Sequence, residues 1–338
     1  MGVLIKRYGW AVPYLLLAPG ILWLIVFYAW PAVQILLASF WSGSLETGYT
    51  FSLSNWTNYP DALSRYQEQF LRSILYAGSA TILTFLIAYP LAYVIAFRGG
   101  RYKNLLLFMV IAPFFTSFLL RTISWKIILG DTGILFGPLK DLGLLDDSFR
   151  VLATPTAVIS GITYAFLPFM TLPIYISLEK VDKRLIEAAQ DLYAGPWRPG
   201  GTIAGAVFGG VLFAVLAYAF LWDPLPMAVF GAASGALVGT FVLTQSFIRV
   251  TLPLSLPGVF AGSLLVIIPA MGDYVNATLL GNPSTNMIGN VIQSRFLTNN
   301  DYPTASALSF ILMAMILIAV TIYGRLLGTE NLTTGRGI

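Results

Sequence analysis

Long stretches without a charged residue constrain this chain more than any other feature of its sequence. A helix needs about 20 mostly apolar residues to cross a bilayer, and eight charge-free stretches approach or exceed that length. They are residues 8–45, 73–97, 104–120, 151–178, 199–222, 224–248, 250–272 and 302–324. Charged residues make up only 10% of the chain, whereas an average soluble domain has about 25%. The sequence therefore predicts an all-α, polytopic transmembrane helix bundle of about eight spans, and it excludes a soluble enzyme and a disordered chain.

Two parts of this pattern need separate interpretation. Residues 104–120 are short for a span, so we expect their helix to continue past Arg121 toward Ile128, with Arg121 and Lys126 reaching the interface. Residues 274–294 are also free of charge, but they contain four asparagines and a proline. That composition predicts a loop.

The basic residues predict an orientation in the membrane. If the N-terminus is cytoplasmic, the inner segments carry 12 of the 19 Lys and Arg residues. Their net charge is then +7, against −3 for the outer segments. The positive-inside rule therefore places both termini in the cytoplasm. The first apolar stretch lacks a small-residue cleavage site after a short core, so we expect it to be a retained span.

The absence of two residue types limits the chemistry of the chain. It contains no Cys and no His, which excludes disulfides, thiolate nucleophiles, His bases and the usual Cys or His metal sites. The Gly-Lys-Ser/Thr string of a P-loop is also missing. We therefore expect no catalytic residue, metal site or cofactor in this chain, and any ATP hydrolysis must come from another chain.

The densest group of charges is the segment 179–198, with the sequence EKVDKRLIEAAQDLYAGPWR. An apolar stripe at helical spacing and a charged face predict a short amphipathic helix, which Gly195-Pro196 ends. The apolar stripe is Leu185, Ala188, Ala189 and Leu192, and the charged face is Lys183, Glu187 and Asp191. This helix is either a solvated interfacial helix or a docking helix for a groove on a partner.

The string EAAQDLYAG, followed later by VTLPLSLPG, resembles the EAA loop of binding-protein-dependent ABC importer permeases. Residues 121–133, 167–192, 250–275 and 288–296 resemble the spermidine/putrescine, or polyamine, branch of that family. With the spans between them, the resemblance covers nearly all of 10–326. It implies a type I ABC importer permease fold, in a multi-pass protein of the bacterial plasma (inner) membrane.

The resemblance also implies a set of partners. Such permeases are transport subunits, not enzymes, and each pairs with a second homologous permease. An extracytoplasmic substrate-binding protein delivers the solute, and a cytoplasmic ABC ATPase dimer binds ATP and Mg. No nucleic acid is involved. By this resemblance the 180–194 helix docks into the ATPase, and the residues implied in ATPase coupling are Glu187, Ala188, Ala189, Asp191, Leu192 and Gly195.

The sequence departs from the family pattern at two points. Tyr193 stands where the pattern has a glycine that lets the backbone turn, and we expect Gly195 to take that role. The pattern also requires nine residues where this chain has 56, which indicates an insertion of 47 residues at 199–245. An inserted transmembrane helical hairpin would return the chain to the cytoplasm. The predicted domains are thus an importer transmembrane domain, 1–198 and 246–338, and the hairpin.

The inserted hairpin leaves several functions open. Its Gly-x-x-x-Gly repeats favour close helix packing, although a specific role in oligomer contacts or coupling is an alternative.

Other functions of the whole chain were also considered. A secondary transporter would carry ionisable residues near mid-membrane, and these spans have almost none. The remaining alternatives are an ABC permease for another small solute and a degenerate permease that its insertion uncouples from ATP hydrolysis.

Three residues are candidates for the substrate path. Asp273 and Tyr274 directly follow the 250–272 stretch. With Gly272 they form a Gly-Asp-aromatic motif, which these permeases carry at this point. A polyamine is a flexible polycation that needs carboxylates and aromatic faces, and Trp125 supplies a further ring. Trp125 is equally an aromatic-belt candidate. Arg121 and Lys126 beside it would repel a polycation.

Overall fold

The computed structural model describes residues 12–192 and 247–326, which are largely helical. The helices are α1 (Val12–Leu24), α2 (Trp30–Ala38), α3 (Asn58–Tyr93), α4 (Lys103–Ile111), α5 (Phe118–Ile128), α6 (Phe136–Asp141), α7 (Pro155–Glu179), α8 (Lys183–Leu192), α9 (Leu252–Met271), α10 (Val275–Leu280), α11 (Ile288–Leu297) and α12 (Tyr302–Leu326). Strands β1 (Trp41–Ser44) and β2 (Gly48–Phe51) form an antiparallel hairpin between α2 and α3. The predicted insertion, 199–245, lies outside the described residues, so its hairpin stays a prediction.

Five helical segments of the described residues are long and apolar enough to cross a membrane. They are Leu16–Ala38, Leu53–Arg98, Pro155–Glu179, Leu252–Met271 and Tyr302–Arg325. A sixth candidate is the bent pair Gly100–Phe115 and Phe118–Ile128. Each of the six overlaps one predicted stretch, which confirms a helical membrane protein. The two stretches of the insertion fall almost wholly outside the described residues.

The third predicted span is not a continuous helix. The chain turns by 95° between its two parts, because a short 3₁₀ turn over Ala112–Phe115 is followed by two extended residues, Thr116 and Ser117. Pro113 within that turn lacks a backbone N–H, so it cannot extend the helical hydrogen-bond ladder. The expected helix from residue 104 toward Ile128 is therefore wrong at this bend.

The predicted loop over 274–294 contains two helices instead. Residues 275–280 form α10, and α11 starts at Ile288. Between them, the Asn282 side chain accepts hydrogen bonds from the backbone N–H groups of Ser284 and Thr285 and caps a 3₁₀ turn. An asparagine that suggested a loop in the sequence here accepts hydrogen bonds from the free backbone N–H groups at the start of a short helical segment.

The described residues form two compact units. One comprises residues 12–68 and 291–315, and it holds the β-hairpin, in which the rings of Trp41 and Tyr49 stack with centroids 5.5 Å apart. The other comprises 69–192, 247–290 and 316–326 and contains all the predicted site residues that the structure describes.

Helices α7 and α9 pack closely in the core of the second unit because α9 presents glycines four residues apart. A Cβ atom at Gly258 would lie 2.5 Å from Ser177 Cβ and 3.0 Å from Ile174 Cα. A Cβ atom at Gly262 would lie 2.8 Å from Met170 Sδ. Small residues at this spacing allow two helix backbones to approach. The same glycine spacing was predicted to matter only in the insertion, whereas in the described residues it joins α7 to α9.

We expect Gly258→Ala to destabilise the protein by about 1–3 kcal/mol, since overpacking a close helix contact forces the backbones apart. The measurement is thermal unfolding of the purified protein in detergent or lipid. Gly78→Ala is the matched control, because Gly78 also lies in a helix but a Cβ atom there meets nothing within 4 Å. Equal melting temperatures for the two variants would contradict the close packing of α7 on α9.

Candidate functional site

The predicted docking helix is present as α8, Lys183–Leu192. It starts later than the predicted residue 180, because Glu179 ends α7 and Asp182 caps α8: the Asp182 Oδ1 atom accepts from the backbone N–H of Arg184 at 2.9 Å. Its amphipathic pattern follows from polar residues on one side and apolar residues on the other.

The residues predicted to couple to the ATPase share α8, with one exception. The side chains of Glu187, Ala188 and Asp191 are exposed. Ala189 and Leu192 lie in the same helix, and Gly195 lies outside the described residues. Leu185, on the apolar stripe, is 53% exposed. Exposed apolar side chains at Leu185 and Ala188, beside exposed carboxylates, are the arrangement that a docking helix needs.

The second predicted site is built around Asp273, between α9 and α10. Its side chain is only 8% exposed. The backbone N–H of Asn276 donates to Asp273 Oδ1 at 2.9 Å, and Asn276 Nδ2 donates to Asp273 Oδ2 at 2.6 Å. The carboxylate therefore caps the N-terminus of α10, a favourable place for a negative charge.

The electrostatics of Asp273 reflect two opposed effects. Burial raises the pKa of its carboxyl above the ordinary value, because a charged group loses hydration there. Hydrogen bonds from Asn276 and from the backbone of Val275 act in the opposite direction and stabilise the ionised form. A cation brought close to this carboxylate would stabilise the ionised form further.

Asn276 connects Asp273 to the helix that carries Trp125. The Thr122 Oγ1 atom of α5 lies 3.4 Å from Asn276 Oδ1, at hydrogen-bond distance. One turn later in α5, the Trp125 ring packs edge-on against Tyr164 with centroids 5.3 Å apart. The structure therefore places Trp125 and Asp273 on elements joined by one polar contact.

Tyr274, the third candidate, is placed differently. Its side chain is 45% exposed, and its backbone carbonyl accepts a hydrogen bond from Asn290 Nδ2 at 3.0 Å. Asn290 Nδ2 also donates to Thr278 Oγ1 at 2.7 Å, so this buried amide fixes the start of α10.

Three polar residues of this site were not predicted from the sequence: Thr122, Asn276 and Asn290. A buried amide needs hydrogen-bond partners, and an asparagine inside a long charge-free stretch was the available signal for such a position. The guanidinium carbon of Arg121 lies 4.8 and 5.8 Å from the ring centroids of Phe114 and Phe118. Within the described ranges, no group of three or more acidic side chains is arranged to hold a metal ion.

Comparison with known proteins gives relatives along most of the chain, although no protein-family model matches it. The chain is 36% identical over 305 residues to the spermidine/putrescine transport system permease protein PotB of Haemophilus influenzae, covering 90% of each chain. It is 34% identical over 305 residues to PotB of Escherichia coli, covering 90% of this chain and 93% of that one.

A solved structure shares the fold. A bacterial alginate ABC transporter, in complex with an alginate pentasaccharide-bound periplasmic protein, superposes with a TM-score of 0.57 at 17% identity, covering 99% of this chain and 98% of that chain. This likeness agrees with the permease fold expected from the sequence. Because relatives above 30% identity match nearly the whole chain, it belongs to the family of spermidine/putrescine transport system permease proteins.

Proposed function

We propose that this chain is the transmembrane permease subunit of an ATP-driven ABC importer for polyamines such as spermidine and putrescine. The observation that carries the proposal is the 36% identity to a spermidine/putrescine permease over 90% of the chain. The exposed amphipathic helix α8 supports it, because an importer subunit without a P-loop needs a docking surface for a separate ATPase.

In this proposal α8 couples the chain to the ATPase dimer, which binds ATP and Mg. The exposed carboxylates of Glu187 and Asp191 pair with basic residues at the rim of the ATPase cleft. Ala188 and Ala189 let the helix sit deep in that cleft, because a larger side chain would hold it away. Leu192 adds an apolar contact, and Gly195 lets the chain turn after the helix.

The translocation path in this proposal is shared with a second, homologous permease, and an extracytoplasmic binding protein delivers the solute. Asp273 supplies negative charge for a polycation, while Tyr274 and Trp125 supply aromatic faces. The ordered start of α10 keeps the carboxylate in place, since Asn276 holds both of its oxygens. Both termini lie in the cytoplasm, on the side of α8.

The test is ATP hydrolysis by the co-expressed permease–ATPase complex in lipid vesicles. Adding the binding protein loaded with spermidine is expected to raise the rate about five-fold or more, a typical coupling between two sites. The same protein loaded with a sugar, or left empty, is the control.

Two outcomes would count against the proposal in different ways. Equal stimulation by every form of the binding protein would refute the polyamine substrate. No stimulation of an intact complex would refute coupling in the full chain, and deleting residues 199–245 would then show whether the insertion uncouples it.

A further inference from the structure

Three side chains join the start of α4 to the end of α7. Lys103 Nζ forms an ion pair with Glu179 Oε1, and it also lies 5.2 Å from the centroid of the Tyr175 ring. Tyr175 precedes Glu179 by one helical turn, so the two side chains share a face of α7. The side chains of Lys103 and Glu179 are 28% and 48% exposed, while Tyr175 is buried. The ring therefore covers one side of the ion pair.

On one side, this cluster is continuous with the docking helix. Only three residues separate Glu179 from α8, and hydrogen bonds close the turn between them. The backbone N–H of Val181 donates to the Leu178 carbonyl at 3.1 Å, and that of Leu185 donates to the Asp182 carbonyl at 3.0 Å. A turn closed in this way has few free rotations, so a displacement of α8 is passed to Glu179.

On the other side, the cluster leads toward the Asp273 site. Lys103 is the first residue of α4, and the chain continues from α4 through the 95° bend into α5. Helix α5 contacts the Asp273 site through Thr122 and Asn276. Lys103 therefore begins the segment α4–α5, which leads to the candidate substrate site. Glu179 begins the segment that leads through the turn into α8, the candidate ATPase site.

We propose that the Lys103–Tyr175–Glu179 cluster is a positioning element that makes α4 follow the movement of α8. Closure of the ATPase would then shift α5 and its contact with Asn276 at the substrate site. This inference rests on the proposed function, because it takes α8 as the segment that the ATPase moves. A partly exposed, single ion pair adds little to the stability of a fold, so we expect its loss to change coupling between the two sites and not folding.

Charge reversal tests the cluster. In the vesicle assay, Lys103→Glu and Glu179→Lys are each expected to lower substrate-stimulated ATP hydrolysis by about five-fold or more, with basal hydrolysis and the yield of complex unchanged. The double variant rebuilds the pair with opposite polarity and is expected to recover to within about two-fold of wild type. Arg101→Glu is the matched control, because Arg101 lies in the same turn but contacts the exposed ring of Tyr102.

The results can refute either the coupling role of the cluster or the proposed function, and they distinguish the two. Normal stimulation in both single variants would overturn the inference, as would a double variant no better than either single one. If Lys103→Glu fails to assemble, Lys103→Gln removes the charge without reversing it and is expected to lower stimulation in the same direction. A wild-type complex that the loaded binding protein does not stimulate would instead refute the proposed function.

Discussion

Replacing Glu187 by lysine is expected to abolish co-purification of the ATPase with the membrane subunits and, with it, ATP-driven uptake. The Glu187 side chain is exposed on α8, where the proposed contact sets it against a basic residue of the ATPase. Like charges placed opposite each other in an interface cost several kcal/mol, and about 2.7 kcal/mol already lowers affinity about 100-fold. The measurement is the amount of ATPase recovered per tagged permease.

Two further variants separate docking from general damage. Glu187→Gln removes the charge without reversing it and is expected to give an intermediate yield of complex. Glu46→Lys makes the same charge change at an exposed residue in the turn of the β-hairpin, and it is expected to leave the yield unchanged. Full recovery of the ATPase with Glu187→Lys would show that α8 docks elsewhere or not at all.

Replacing Asp273 by asparagine is expected to lower kcat/KM for spermidine uptake by about ten-fold or more, while the complex still assembles. The substitution removes the negative charge that would attract a polycation. It also sets an amide NH₂ group against one of two donors, the backbone N–H or the Nδ2 atom of Asn276. Hydrogen bonds to a charged group contribute about 1.5–3 kcal/mol, which is consistent with a ten-fold effect.

The matched control for this prediction is Asp147→Asn, in the predicted outer loop between α6 and α7. The Asp147 side chain is exposed, and its contact with Lys140 uses the backbone carbonyl, which the substitution leaves in place. We therefore expect normal uptake from this variant. Unchanged uptake kinetics for Asp273→Asn would remove Asp273 from the substrate path.

The elements that the sequence predicted correctly are those with a strong local pattern. Five of the six predicted spans outside the insertion appear as helices because each is a long apolar run, whereas the sixth appears as a bent pair. Helix α8 appears because its apolar and charged residues alternate at helical spacing. Its start could be placed only in the structure, where Asp182 caps it.

The bend before α5 and the helices within 274–294 could not be predicted in this way. Pro113 lies in an apolar run, and hydropathy does not show whether a proline there kinks a helix, ends it or lets it continue. Asn276 and Asn290 look like loop residues, yet each is buried because tertiary contacts satisfy its amide. The contact between Thr122 and Asn276 joins residues that are distant in sequence, and no local pattern indicates such a pair.

The close packing of α7 on α9 has a consequence for the length of chain that can be inserted between them. Helix α8, which follows α7, contacts residues 247–251, which precede α9. Residues 183–192 and 247–251 are therefore held next to each other by a contact between themselves. Because this contact does not depend on the residues in between, the junction is a place where a permease can gain or lose a module such as the hairpin predicted at 199–245.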